Sequence, residues 1–201
     1  MAKFKNKYRN SSHRLKNWDY GSPGMYFVTI YTKNQISYFG EIVTFTNENI
    51  PVDCYVASQN LATLHRNQEN NEPHLDPTII GNIAQQYWTE IPHHFAFVDL
   101  DEFQIMHNHL HGILMIDNPD HNGWEHNQFG PQSKNSGSII RGYKAGVKEF
   151  ATTNKIEFWW QAKYYDRIIR TEQDLNTVRE YIRNNPMNWQ FDRKNKNGLM
   201  M

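Results

Sequence analysis

Hydrophobic positions along this chain follow two periods, and each change of period marks an element. Residues 26–32 (Tyr26-Phe27-Val28-Thr29-Ile30-Tyr31-Thr32) are β-branched and aromatic, follow Gly21-Ser22-Pro23-Gly24, and predict a first strand. Residues 66–77, with Asn70, Asn71, Pro73 and Pro77, predict a loop. Across 78–94, Ile79, Ile80, Ile83, Tyr87 and Ile91 recur at helical spacing. Residues 97–106 and 109–116 predict two strands with only His107-Asn108 between them, a hairpin. The Asn-, Gly- and His-rich stretch 118–136 has little periodicity and predicts a long loop. A helix is expected over 138–152, with Arg141, Lys144 and Lys148 along one side, and a strand over 163–170. Thr171, with Asp174 three residues on, opens a last helix through Leu175, Val178 and Ile182, which Pro186 ends. Strands and helices intermingle around a central hairpin, so an antiparallel α+β sandwich fits better than a parallel doubly wound sheet.

The 201 residues suit one domain, with 38% hydrophobic and 14% aromatic content to build its core. The expected division is a basic tail over 1–12, a domain over 13–192 that includes loop 118–136, and a tail over 193–201. One cysteine, Cys54, excludes an intrachain disulfide and a cysteine-based zinc site. The basic residues at the start have no apolar run behind them, and no stretch approaches a membrane span. The expectation is a cytoplasmic protein, with no membrane partner.

The formal net charge is zero, but the charges are segregated. Lys3, Lys5, Lys7, Arg9, Arg14 and Lys16 stand in the first sixteen residues without an acid. Between positions 33 and 125 the only such bases are Lys33 and Arg66, and from Arg141 onward the balance turns basic again. That asymmetry suggests a positive surface drawn from both ends of the chain.

His109 and His111 share one face of their strand, where two imidazoles can hold one divalent metal. A His-x-His pair arises often by chance, and its commoner fate is two solvated or hydrogen-bonded histidines. His107 would join it only if the strand ran straight through His107-Asn108, and a turn there leaves it a neighbour. Tyr181 and Asn185 are four apart and face the same way on a helix. Tyr181 falls at the edge of the Leu175/Val178/Ile182 stripe, so its hydroxyl either closes the core or reaches a neighbouring site. The Asn185 amide oxygen suits a hard cation such as Mg2+ or Mn2+. In 158–167 (Phe158-Trp159-Trp160-Gln161-Ala162-Lys163-Tyr164-Tyr165-Asp166-Arg167) rings and bases interleave, as in proteins that hold single-stranded DNA, though such rings can equally fill a core. The candidate DNA contacts are Arg14, Lys16, Arg141, Lys144, Lys148, Trp160, Gln161, Tyr164, Tyr165, Arg167, Arg170 and Arg183.

Several ordered blocks resemble the REP-associated tyrosine transposases, single-tyrosine members of the HUH (His-hydrophobic-His) nuclease superfamily. They are residues 24–34 (GMYFVTIYTKN), 106–112 (MHNHLHG), 139–144 (IIRGYK), 160–170 and 179–186 (REYIRNNP), within a span of about 12–192. Where that family has proline, this chain has His107. The resemblance implies a ferredoxin-like antiparallel sheet with helices packed on it. It also implies a metal held by His109, His111 and Asn185, and Tyr181 as nucleophile toward single-stranded or hairpin DNA. The implied activity is that of a transposase-like DNA endonuclease and strand transferase working through a 5′-phosphotyrosine, as a monomer or homodimer. Two other classes fit the same residues: a DNA-binding protein with a decayed site, and a metal-dependent hydrolase that does not use Tyr181.

Overall fold

The computed structural model describes residues 3–4, 7–8, 18–44, 72–119, 121, 123 and 133–192. In chain order the strands are β1 (Lys3–Phe4), β2 (Lys7–Tyr8), β3 (Gly24–Tyr31), β4 (Gly40–Val43), β5 (His74–Pro77), β6 (Val98–Ile105), β7 (His109–Ile116) and β8 (Tyr165–Ile169). The helices are α1 (Ile79–Thr89), α2 (Ile91–His94), α3 (Ser136–Thr153), α4 (Glu172–Arg183) and α5 (Asn185–Asp192).

Four strands form one antiparallel sheet in the order β6-β7-β3-β8. Taken along the chain, β3-α1-β6-β7-α3-β8 is a βαββαβ unit whose two crossover helices bring the last strand beside the first. That is the ferredoxin-like arrangement, and the fold is α+β as expected. Tyr26, Val28 and Ile30 of β3 point to one face, where they pack with Leu110, Leu114, Trp88, Ile139, Ile140, Tyr143 and Val147 in the main core. The alternate residue Phe27 points to the other face. There it joins Ile113, Ile169 and the α4 residues Leu175, Val178 and Ile182 in a smaller cluster. The sheet therefore separates a large core under α1 and α3 from a small one that docks α4.

Gly112 shows how closely the large core is packed. A Cβ there would stand 2.4 Å from Cζ2 of Trp88, so only glycine lets the indole lie on the β7 backbone. On the neighbouring strand, Leu100 pairs with Leu114 but Phe103 pairs with Gly112. The extra residue in β6 makes a bulge at Asp101-Glu102.

Three expectations change. Residues 74–77 are not loop: they pair with β4 in the register Gly40↔Pro77 to Val43↔His74, and Pro77 is accommodated because it ends a short edge strand. Helix α3 begins at Ser136 rather than Ser138, because Asn135 is the N-cap and Ser138 closes the capping box from the third helical position. Pro186 does more than end a helix. Helix α4 closes at Arg183, and Pro186 stands in the first turn of α5, where its missing N–H is not needed. Thr171 caps α4 as expected, accepting from the Asp174 N–H. Arg14, Lys16, residues 1–2, 5–6 and 9–12 of the 1–12 tail, the tail over 193–201, and much of 118–136 lie outside the described residues. No helix among the described residues is long and apolar enough to cross a membrane.

Candidate active site

His109 and His111 begin β7 and face α4, opposite Tyr31 and Thr29 of β3. Both are buried, at 7% and 1% exposure, and their Nε2 atoms stand 3.0 Å apart. Each ring is oriented from its far nitrogen. Asn108 Nδ2 donates to the Gln35 carbonyl at 3.1 Å, which turns Asn108 Oδ1 toward His109 Nδ1 at 2.7 Å. An amide oxygen only accepts, so Nδ1 of His109 carries the proton and Nε2 keeps its lone pair. His111 Nδ1 meets Thr29 Oγ1 at 2.9 Å. The ring of Phe27 stacks on His111 at 5.5 Å, and Tyr31 lies 5.2 Å from His109.

Burial keeps both imidazoles neutral. It drives the His109 pKa well below its ordinary value, with smaller pushes from His111 and His107 and an opposing pull from the Asn185 amide. Burial alone lowers His111 to about 3. Neutral rings at physiological pH are the protonation state that ligates a cation.

Tyr181 reaches this pair from α4. Its hydroxyl is 3.3 Å from His111 Nε2, its ring meets Phe27 edge-on, and the residue is 39% exposed. Asn185 is 1% exposed, and its Oδ1 is buried with no hydrogen bond among the described residues. Tyr181 and Asn185 sit on successive helices, but Asn184 between them is αR (φ −83°, ψ −1°), so they still face one way. The expected quartet of His109, His111, Tyr181 and Asn185 is thus gathered in one place.

The donor set fits a hard divalent cation. A cation about 2.1 Å from each of two nitrogens at a right angle sets those nitrogens about 3.0 Å apart, the separation of the two Nε2 atoms. The orphaned Asn185 oxygen supplies a third donor. No group of three or more His, Cys, Asp or Glu side chains among the described residues is arranged to hold a metal by itself. His107 sits in the hairpin turn, its ring 6.3 Å from that of His109 and 5.6 Å from that of Trp189.

Helix α4 is tied to the sheet at its rim. Arg179 Nε donates to Asp101 Oδ1 at 2.8 Å, and Arg183 Nε donates to Glu102 Oε1 at 2.8 Å. The β6 bulge presents both acids, and Arg179 holds the Asp101 carboxyl below the usual carboxylate range. Arg183 therefore already engages a carboxylate, as does Arg167, which pairs with Asp174. Arg170 lies over Trp18 at 5.8 Å, and Arg141 is exposed on α3.

The other expected DNA contacts gather at the end of the sheet next to His109. Thr32 bridges to Trp160, and the Gln161 N–H donates to the Tyr31 carbonyl. Trp160 is half-buried against Phe39, Tyr143 and Phe158, with its indole N–H on the Lys144 carbonyl. Lys144 and Lys148 of α3 reach the carbonyls of Gln161 and Phe158, and burial lowers the Lys144 ammonium to about 8. Tyr164 is half-buried and Tyr165 is 45% exposed. Sequence reasoning missed Asn108, Thr29 and Lys33, and it placed Trp159 in the aromatic segment without singling it out as a contact. Asn108 read as a turn residue, and its hydrogen bond to His109 depends on a contact with Gln35, seventy-three positions away.

No family model matches the chain. A solved structure, a REP-associated tyrosine transposase bound to a REP hairpin, aligns over 91% of this chain and 74% of its own, with TM-score 0.47 and 15% identity. A protein of Haemophilus influenzae (strain ATCC 51907 / DSM 11121 / KW20 / Rd), described as uncharacterized, is 36% identical over 191 residues, 90% of each chain. At that identity and coverage, this chain belongs to the same family as the Haemophilus influenzae protein.

Proposed function

We propose that the protein is a single-stranded DNA endonuclease and strand transferase in which Tyr181 is the nucleophile. The observation that carries this reading is the half-exposed Tyr181 hydroxyl, 3.3 Å from one of two buried, neutral histidines whose Nε2 atoms converge. The resemblance of the blocks around His109, His111 and Tyr181 to the REP-associated tyrosine transposases supports it.

Tyr181 Oη attacks the scissile phosphorus, the bond from phosphorus to the 3′ oxygen breaks, and the 5′ phosphate remains on the tyrosine. The proton that the phenol loses is balanced by the one the freed 3′ oxygen takes up. Attack by a 3′-hydroxyl reverses the step and rejoins strands without an outside energy source. His109, His111 and Asn185 would hold Mg2+ or Mn2+, which supplies charge stabilisation at a non-bridging phosphate oxygen. Phe27 and Tyr31 wall the imidazoles, and the small core under α4 fixes the height of Tyr181 above them.

The test is incubation with labelled single-stranded hairpin libraries plus Mn2+, resolved on a denaturing gel. A covalent adduct is expected with the natural chain and none with Tyr181→Phe. The phenylalanine variant should keep its fold, since the hydroxyl contact with His111 that it loses is worth about 1 kcal/mol. Cleavage without an adduct would point to a hydrolase, and hairpin binding without cleavage to a DNA-binding protein.

A further inference from the structure

Trp159 is 48% exposed, whereas Trp18, Trp88, Trp160 and Trp189 are half-buried or buried. Two ammonium groups lie over its ring: Lys148 Nζ at 3.7 Å from the centroid and Lys33 Nζ at 5.4 Å. The Thr32–Trp160 bridge turns Trp160 toward the main core, and alternation turns Trp159 the other way. Lys148 is held by the Phe158 carbonyl, 2.8 Å away, and the Lys33 N–H donates to the Trp159 carbonyl at 2.8 Å. The platform is therefore built onto fixed elements.

Beside it opens a cleft of about 520 Å³ lined by Lys33, Asn34, Gln35, Trp160, Gln161 and Ala162. Asn34 and Gln35 both have φ of 55°, left-handed conformations that are costly for residues with a Cβ. Strain of this kind clusters where a ligand is held. The floor of the cleft is wired to the candidate active site, because the Gln35 carbonyl accepts from Asn108, whose amide oxygen accepts from His109. Side-chain amides at Asn34, Gln35 and Gln161 present donors and acceptors of the kind that meet base edges.

We propose that Trp159, with Lys33 and Lys148, is a stacking site for an unpaired base of the DNA strand that runs on from the candidate active site. The part of the ring that Lys148 leaves exposed takes the base, the two lysines take the flanking phosphates, and the cleft amides take the base edge. The assignment rests on the strand-transferase reading only for the identity of the strand, and its test is done without a divalent metal.

The probes are fluorescein-labelled dA12 and a twelve-residue oligonucleotide of abasic spacers with the same phosphates, titrated by anisotropy in EDTA. Trp159→Ala should weaken dA12 binding roughly 5- to 160-fold, with Trp159→Tyr intermediate and an unchanged melting temperature. On the abasic strand Trp159→Ala and the natural chain should bind alike, since no base remains to stack. Replacing Lys33 and Lys148 with Ala should flatten the salt dependence for both strands, by about 0.7 in logarithmic slope for each phosphate no longer neutralised. Equal dA12 affinity for the folded Trp159→Ala variant, or an equal loss on both strands, overturns the stacking site. A chain that binds dA12 through Trp159 but forms no tyrosine adduct with Mn2+ overturns the strand-transferase reading and leaves the stacking site standing.

Discussion

Asn108→Ala removes the acceptor that holds His109 in its ligating tautomer. In the native arrangement Asn108 Oδ1 is 2.7 Å from Nδ1 of an imidazole that is 7% exposed, so the lost partner is not replaced freely by water. The ring then either keeps a buried, unpaired Nδ1–H, at about 1–3 kcal/mol, or moves its proton to Nε2, where it blocks the metal. Loss of an orienting partner of a ligating histidine lowers metal affinity about 10- to 100-fold. Calorimetric titration with Mn2+ should show that loss for Asn108→Ala. Asn108→Asp, which keeps the acceptor and adds charge, should hold or exceed native affinity. Melting curves give a second reading: with Mn2+ saturating both proteins, a tenfold weaker site forfeits about 1.4 kcal/mol of metal-linked stability. Long-range nitrogen–proton correlation on the metal-free protein should place the His109 proton on Nδ1, and partly on Nε2 in the alanine variant. Native Mn2+ affinity in Asn108→Ala, or an aspartate variant as weak as the alanine one, would refute the tautomer argument.

His109→Ala and His111→Ala should each weaken Mn2+ binding, whereas His107→Ala should do so far less, because its ring packs toward Trp189. Equal losses by titration calorimetry at all three would make His107 a ligand. The metal-free protein should lose stability as pH falls below about 6.5, the ordinary histidine value. The folded-state pKa values of His109 and His111 are depressed, so the unfolded chain takes up protons that the folded one refuses. The slope should reach about 1.4 kcal/mol per pH unit for each ring, and saturating Mn2+ should extend it to lower pH without steepening it. A flat denaturant midpoint between pH 7 and 5 would show that these rings are not buried as described.

The βαββαβ skeleton was legible because its strands and helices carry strong periodicities, and the strand that bears the histidines was bounded to the residue, its hairpin partner to within one at each end. What escaped was decided by distant partners. His74-Leu75-Asp76-Pro77 becomes a strand only because Gly40–Val43 lies alongside, and two prolines nearby spoke for a loop. The quartet His109, His111, Tyr181 and Asn185 was legible from two local spacings, since strand alternation and the helical turn each fix a shared face. Thr29 and Asn108, which orient the imidazoles, were not, because any strand threonine or turn asparagine looks the same before it is folded. The aromatic segment showed the same limit. Its composition pointed to DNA, but only the bridge from Thr32 to Trp160 tells which of two adjacent tryptophans faces outward.

Gly112 gives the site a dependence on residues that never approach it. His111 faces α4, and the next residue along β7 has Trp88 pressed against its backbone from the opposite side. Sequence drift in the large core is therefore coupled to chemistry: a bulkier residue at 112, or a reshaped neighbour of Trp88, displaces the strand that sets the spacing of the two imidazoles. Variants recovered by selecting for activity should conserve Gly112 and Trp88 as a pair, while an exposed position such as Ile79, which lies outside both cores, changes freely.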